Sequence, residues 1–323
     1  MSRYSERAEN VARFVDVNYN LTLGDGGPLG EQWGALVYTT GDHQEFEKRY
    51  DSPTRENVLQ FLLFDNENPN SILSCVSNAR EAARTVREVL PEAVWGQVNQ
   101  FYLMVRDASK RGSAIQQPYD FCEAVRMASH LMIGITHSSM LRDEAWYFLH
   151  AGRYLERADK TSRIVDVPYF VLLPNVHDVG SSIDIVRWSS VLKSADALGM
   201  YRRTCGRIVP AKVAEFLILD PHFPRSIHFC VSRAEQCLKE MAKSDEQAEP
   251  FSVKLARQLT SRLDSVTIDE IISQGMHAFI DQLQGALNGL GIAIHHDFFD
   301  TKTQQQRFDS RSTSMAGMGQ SQD

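Results

Sequence analysis

Apolar residues recur along this chain at intervals of three and four. Ile72, Val76, Ala79, Ala83, Val86 and Leu90 mark one face of a helix, which Pro91 ends. Val94, Trp95, Val98, Phe101, Tyr102 and Val105 form the next. The same period predicts long helices over roughly 120–150, 190–205, 226–243 and 267–290. Ser71 and Ser226 each stand one residue before a periodic run and two after a proline, which suits a helix N-cap. Ser52-Pro53 reads as a cap followed by proline in the first turn. No strand-like alternation of useful length interrupts the pattern, so the predicted class is all-α, a multi-helix bundle.

The pattern also repeats. Arg3–Tyr19 laid over Arg153–Tyr169 matches at Arg3/Arg153, Tyr4/Tyr154, Glu6/Glu156, Arg7/Arg157, Ala8/Ala158, Arg13/Arg163, Val15/Val165, Asp16/Asp166, Val17/Val167 and Tyr19/Tyr169. Glu9/Asp159 keeps its charge. A second block, Val58–Cys75 over Val213–Cys230, shares Phe61/Phe216, Leu62/Leu217, Asp65/Asp220, Pro69/Pro224, Ser71/Ser226 and Ile72/Ile227, among others, and Trp33/Trp188 fall at the same offset. Identities this dense at a fixed offset indicate duplication. The expected organisation is one domain over 1–300, with pseudo-symmetric tandem repeats at 1–139 and 140–300. The offset grows across a Gly-rich stretch (Gly24–Gly30) matched by one holding Pro174, Asn175, Asp178 and Gly180, as in surface loops that tolerate insertion. Residues 244–249 read as a polar connector. Residues 301–323, poor in aromatics and rich in Gln, Ser and Gly, read as a disordered tail. In the second copy Met140–Gly152 reads as the front of the repeated helix, where the first has only Met1 and Ser2. The expectation is that the first copy has lost its opening turns or that the true N-terminus lies upstream of Met1.

Composition narrows the function classes. Of 323 residues, 43% are hydrophobic and 23% charged, with a net charge of −7. That charge argues against nucleic acid or an anionic membrane as the main partner. The opening residues lack a signal-peptide core, and the apolar runs are too short to span a bilayer. Five dispersed cysteines without Cys-x-x-Cys suggest reduced core thiols. A cytoplasmic, membrane-free location is expected.

The candidate chemistry lies in the duplicated charged segment. At about 100° per residue, Arg153, Glu156, Arg157, Lys160 and Arg163 share a helix face. Arg3 and Arg7, like Arg153 and Arg157, are like charges at i,i+4, which repel on an isolated helix. Both copies keep them, so an anion is expected there: Glu156 itself, a carboxylate from another helix, or a ligand. Two readings follow. One is a buried ion-pair network over Arg3, Glu6, Arg7, Arg13, Arg153, Glu156, Arg157, Asp159 and Arg163, with Arg142 and Glu144 as possible additions. The other is an anion-binding or acid–base site with Glu6 or Glu156 as the catalytic carboxylate. No metal or cofactor is expected, because Glu-x-x-His is missing. His295-His296-Asp297 reads as solvated surface, the Arg80–Glu88 charges as a solvated or salt-bridged face, and Gly24–Gly30 as a linker rather than a phosphate loop.

The Glu-Arg pairs within Arg3–Glu9 and Arg153–Asp159 resemble the alpha-E domain family. So do the Phe-Leu-x-x-Asp-x-x-x-Pro-x-Ser-Ile blocks at 61–72 and 216–227, and Met-Leu-Arg-Asp-Glu-Ala-Trp at 140–146. The resemblance extends to about residue 300. It implies a bacterial helical domain, usually in tandem, associated with peptide synthesis or modification. The implied partners are a circularly permuted ATP-grasp carboxylate–amine ligase, a transglutaminase-like protein and an N-terminal-nucleophile peptidase. The expected role is that of a helical partner or scaffold; an enzyme acting on an amide or peptide carboxylate, with Glu156 as general acid or base and an arginine clamp (Arg153, Arg157, Arg163), is the alternative.

Overall fold

The computed structural model describes residues 1–24, 33–170, 182–243 and 249–300. The Gly-rich stretch beyond Gly24, the one holding Pro174–Gly180, most of residues 244–249 and residues 301–323, expected as loops, a connector and a tail, lie outside them. Every regular element among the described residues is helical. The first are α1 (Ser2–Gly24), α2 (Trp33–Thr40), α3 (His43–Glu47), α4 (Arg55–Leu63) and α5 (Ile72–Thr85). Then come α6 (Glu92–Arg111), α7 (Ser113–Gln116) and α8 (Pro118–Ser139). After them run α9 (Glu144–Phe170), α10 (Ser182–Ser194), α11 (Leu198–Cys205), α12 (Pro210–Ile218) and α13 (Ile227–Ala242). The last are α14 (Phe251–Ser265), α15 (Ile268–Gln274) and α16 (Met276–Phe299). The fold is all-α.

Local chemistry sets the ends. The Ser71 and Ser226 hydroxyls accept the Ser74 and Phe229 amides at 3.1 and 3.0 Å, capping α5 and α13. Several expected boundaries move, because apolar period does not register breaks. The run over 120–150 is two helices: Asp143 accepts the Trp146 amide at 3.1 Å and starts α9 afresh, while Arg142 holds the His137 carbonyl near the end of α8. The 190–205 run breaks around Asp196, whose φ is 54°. The 267–290 run breaks at Gly275, φ 100°, a backbone suited to glycine. Ile72–Leu90 is helical only to Thr85, with a 3-10 turn at Arg87–Val89. Thr54, not Ser52, caps α4.

Two long helices form the centre. α1 packs on α5 and α8, α9 packs on α13 and α16, and α1 and α9 pack on each other. α2 reaches across to α9, and α10 to α1. A helix enclosed on all sides is ordinarily apolar throughout. α1 buries Ala8, Val11, Ala12, Phe14 and Val15, yet it also buries Ser5, Glu6, Glu9, Asn10, Arg13 and Asp16. Such residues persist in a core only where facing groups satisfy them, and those groups come from α9, from Arg225 ahead of α13, and from His130, Arg126 and Met132 of α8.

Candidate functional site

The crossing of α1 and α9 is close. A Cβ on Gly152 would lie 3.1 Å from Arg3 Cγ, and the Ser2 hydroxyl donates to the Leu149 carbonyl at 2.6 Å. Here the two Glu-Arg pairs exchange partners. Arg157 of α9 donates from Nε and a terminal nitrogen to the two Glu6 oxygens, at 2.8 and 2.9 Å. Arg7 of α1 does the same to Glu156, at 2.6 and 2.9 Å. Both are two-pronged guanidinium–carboxylate bonds, the strongest and most directional kind a side chain makes. Both glutamates are 1% exposed. The anion facing Arg157 is therefore a carboxylate from another helix.

The two nodes differ in what surrounds them. Around Glu6, Arg225 donates to Glu6 at 3.2 Å and to Glu9 at 2.5 Å. Arg13 also donates to Glu9, His130 approaches it at 3.3 Å, and Asn10 donates to the Glu6 carbonyl at 2.7 Å. Burial pushes the Glu9 carboxyl up, but Arg225, the His130 hydrogen bond, Arg13 and Arg157 outweigh it and hold it well below the usual carboxylate range. Burial, reinforced by Arg157 and Arg13, draws the Arg225 guanidinium down against the pull of Glu9 and Glu6.

Around Glu156, Arg3 adds a bond at 3.2 Å and Lys160 stands 3.9 Å away. Arg7 also donates to Asn70 Oδ1, and Asn70 to Asp42 Oδ1, each at 2.6 Å. Arg163 and Lys160 flank Asp159 at 3.1 and 3.3 Å. Burial again works against ionised Glu156 and Asp159. The Arg7 bond, Lys160 and Arg3 nevertheless lower Glu156, and Lys160 with Arg163 lowers Asp159. This side opens into a cavity of about 550 Å³ between α1, the Thr40–Asp42 turn, α9 and α16.

Glu156, held below the usual carboxylate range and bound by Arg7 and Arg3, is poorly suited to trade protons near neutral pH. The arrangement fits a lock between helices better than an acid–base centre. Of the three arginines expected to clamp a substrate anion, Arg157 serves Glu6 and Arg163 serves Asp159. Arg153 lies over the Tyr154 ring, 5.2 Å from its centroid, with its Nε unbonded. Arg142 stacks on Trp146 at 4.3 Å, and Glu144 is exposed; neither joins the network. Arg3, Glu6, Arg7, Arg13, Glu156, Arg157, Asp159 and Arg163 do lie together there. His296 is exposed, but Asp297 is buried and accepts the Ser252 amide at 2.7 Å in the first turn of α14, which corrects its reading as surface. Arg80 and Arg84 pair with Glu81 on an exposed face.

Asp42, Asn70 and Arg225 escaped the sequence reading. A signal for the last two existed: Asn70 and Arg225 occupy one position in the matched blocks, each just before the capping serine. Among the described residues no helix is long and apolar enough to cross a membrane.

An all-helical chain whose interior is pinned by reciprocal Glu-Arg pairs defines the class. The chain belongs to the Alpha-E family, a predicted alpha-helical domain with a conserved ER motif, which matches residues 1–299. It is similar to uncharacterised proteins of Mycobacterium bovis and Mycobacterium tuberculosis, each 23% identical over 326 residues, covering 91% of this chain. The chain spans only 36% of the length of these relatives. No solved structure matches it.

Proposed function

We propose that this chain is a helical partner or scaffold in a cytoplasmic bacterial system for peptide synthesis or modification. Its immediate partner in that reading is a circularly permuted ATP-grasp carboxylate–amine ligase, with a transglutaminase-like protein as a further component. The observation that carries the scaffold role is the saturation of both motif glutamates by guanidinium from the opposite helix. That use of the motif fixes a shape and leaves no free acid–base carboxylate in either pair. A matching segment inside much longer relatives also suits a unit that works joined to others. The choice of ligase rests on the family resemblance.

The alternative, an enzyme acting on an amide or peptide carboxylate through Glu156, is favoured only by the cavity beside that residue. Two experiments separate these readings. Tagged chain co-expressed with the circularly permuted ATP-grasp ligase of the same genome is expected to co-purify with it; failure to do so removes the partner reading. Glu156→Gln is expected to lower the melting temperature by several degrees. An unchanged melt together with a lost amide-forming or amide-cleaving activity would turn the assignment toward the enzyme.

A further inference from the structure

The cavity beside Glu156 is built unevenly, and the unevenness describes a ligand. Its cationic wall is Lys160 and Arg163 from α9 and Arg3 from α1. Lys160 is 6% exposed and has three protons to place, and among the described residues its carboxylate partners are Asp159 at 3.3 Å and Glu156 at 3.9 Å. Arg163 bonds Asp159 through Nε and one terminal nitrogen. Its other terminal nitrogen lies against Gly41, whose φ is 83° and where any Cβ would collide with the guanidinium. Only glycine allows that approach.

The opposing wall carries Asp42. It is 8% exposed, and while Oδ1 accepts from Asn70, Oδ2 has no hydrogen-bond partner. A buried carboxylate oxygen left unpaired is costly, and a ligand N–H would relieve it. The third wall is apolar, from Leu155, Leu287 and Ile292. Gly291 on α16 also lines it, and a Cβ there would meet nothing within 4 Å. A mid-helix glycine sacrifices about 1 kcal/mol relative to alanine; here it keeps the wall open.

We infer that this cavity binds a free α-carboxylate with an adjacent N–H and an apolar side chain. Lys160, Arg163 and Arg3 take the carboxylate, Asp42 takes the N–H, and the Leu155–Ile292 wall takes the side chain. A peptide C-terminus and a free apolar amino acid share that chemistry. Phosphate fits worse: Arg3, Arg7, Lys160 and Arg163 exceed Glu156, Asp159 and Asp42 by a single charge. The second negative charge of a phosphate dianion would have no cation left to balance it and would repel Asp42. The inference deepens the scaffold reading and rests on it only for the association with peptides. Binding is measured without a ligase, so either can fail while the other stands.

The test is titration calorimetry on the full chain at low salt with N-acetyl-Ala-Leu, its C-terminal amide, free leucine and inorganic phosphate. The free acid, free leucine or both are expected to bind, and which one binds identifies the source. The amide is expected to bind at least tenfold more weakly than the free acid. Gly291→Phe, which enters the cavity from a position where an added Cβ meets nothing within 4 Å, is expected to abolish binding without lowering the melting temperature. Arg163→Gln is expected to weaken binding tenfold or more, as is Asp42→Asn. Absence of binding by both the free acid and leucine overturns the inference. So does equal affinity for acid and amide, undiminished binding by folded Gly291→Phe, or displacement of the peptide by millimolar phosphate.

Discussion

The Glu6 and Glu156 nodes are written with the same residues and end in different states. Each glutamate is gripped in two-pronged fashion by an arginine from the other central helix. Beside Glu6 the position before the capping serine holds Arg225, which spans Glu6 and Glu9 and closes the node. Beside Glu156 the matching position holds Asn70, which is shorter and uncharged and turns to Asp42 instead. With an asparagine there in place of a guanidinium, that side borders a cavity. At the matched sequence position, Arg225 stands in the sealed node and Asn70 beside the cavity.

The largest expected effect comes from breaking the sealed node. Glu6→Gln keeps the shape but strips Arg157 and Arg225 of their shared charge, and should cost about 3–5 kcal/mol, read by urea unfolding. Glu156→Gln should cost less, about 1–3 kcal/mol, because Arg3 and Arg7 lie nearer water, with side chains 54% and 20% exposed. Equal losses in the two variants would erase the distinction between the nodes. Arg225→Asn, which copies the open node into the sealed one, should fall below Glu6→Gln, at about 2–3 kcal/mol, as Arg13 and Arg157 remain for Glu9 and Glu6. Asn70→Arg should leave the melt within a few degrees but abolish binding in the cavity.

Acid sharpens the same contrast. Glu9, Glu156 and Asp159 are held below their ordinary values when folded. The folded state then binds fewer protons than the unfolded one. Their contribution is full above the unfolded carboxyl value of about 4 and is lost as pH falls through the lowered folded values. His150 acts over a higher window: burial, with Arg153 nearby, lowers it from 6.5 to about 3. Unfolded chains gain that proton first, so stability falls as pH drops from 6.5 toward 3. Urea midpoints between pH 7 and 2.5 should decline throughout, and Glu156→Gln should flatten only the lowest part. A wild-type midpoint that stays level below pH 4 would show that these carboxylates are not ionised in the folded state. The smallest effect concerns Cys75 and Cys230, buried beside the two nodes with thiols pushed up to about 12. Both should resist thiol reagents at pH 8 until the chain unfolds, measured by quantitative labelling with and without urea.

The helical class and most of the helices were legible in the chain, because a buried stripe imposes its period wherever a helix meets a core. So were the serine caps of α5 and α13, which depend on contacts three residues apart. Breaks such as those at Asp143 and Gly275 were not, since one side-chain cap or one left-handed residue ends a helix without disturbing the apolar count. The presence of an anion opposite Arg157 was also legible, from like charges kept four apart.

Which anion it is became clear only in three dimensions. Residues 6 and 157, or 7 and 156, are about 150 apart in the chain and meet because α1 and α9 cross. Arg153 and Arg163 carry the same charge as Arg157, and nothing in one dimension says which of them will face Glu6. Sequence by itself determined the periodicity, the caps and the paired charges, all of which act over a few residues. Tertiary structure decided the partners and the cavity, because ion pairing and enclosed volume depend on where separate helices are packed.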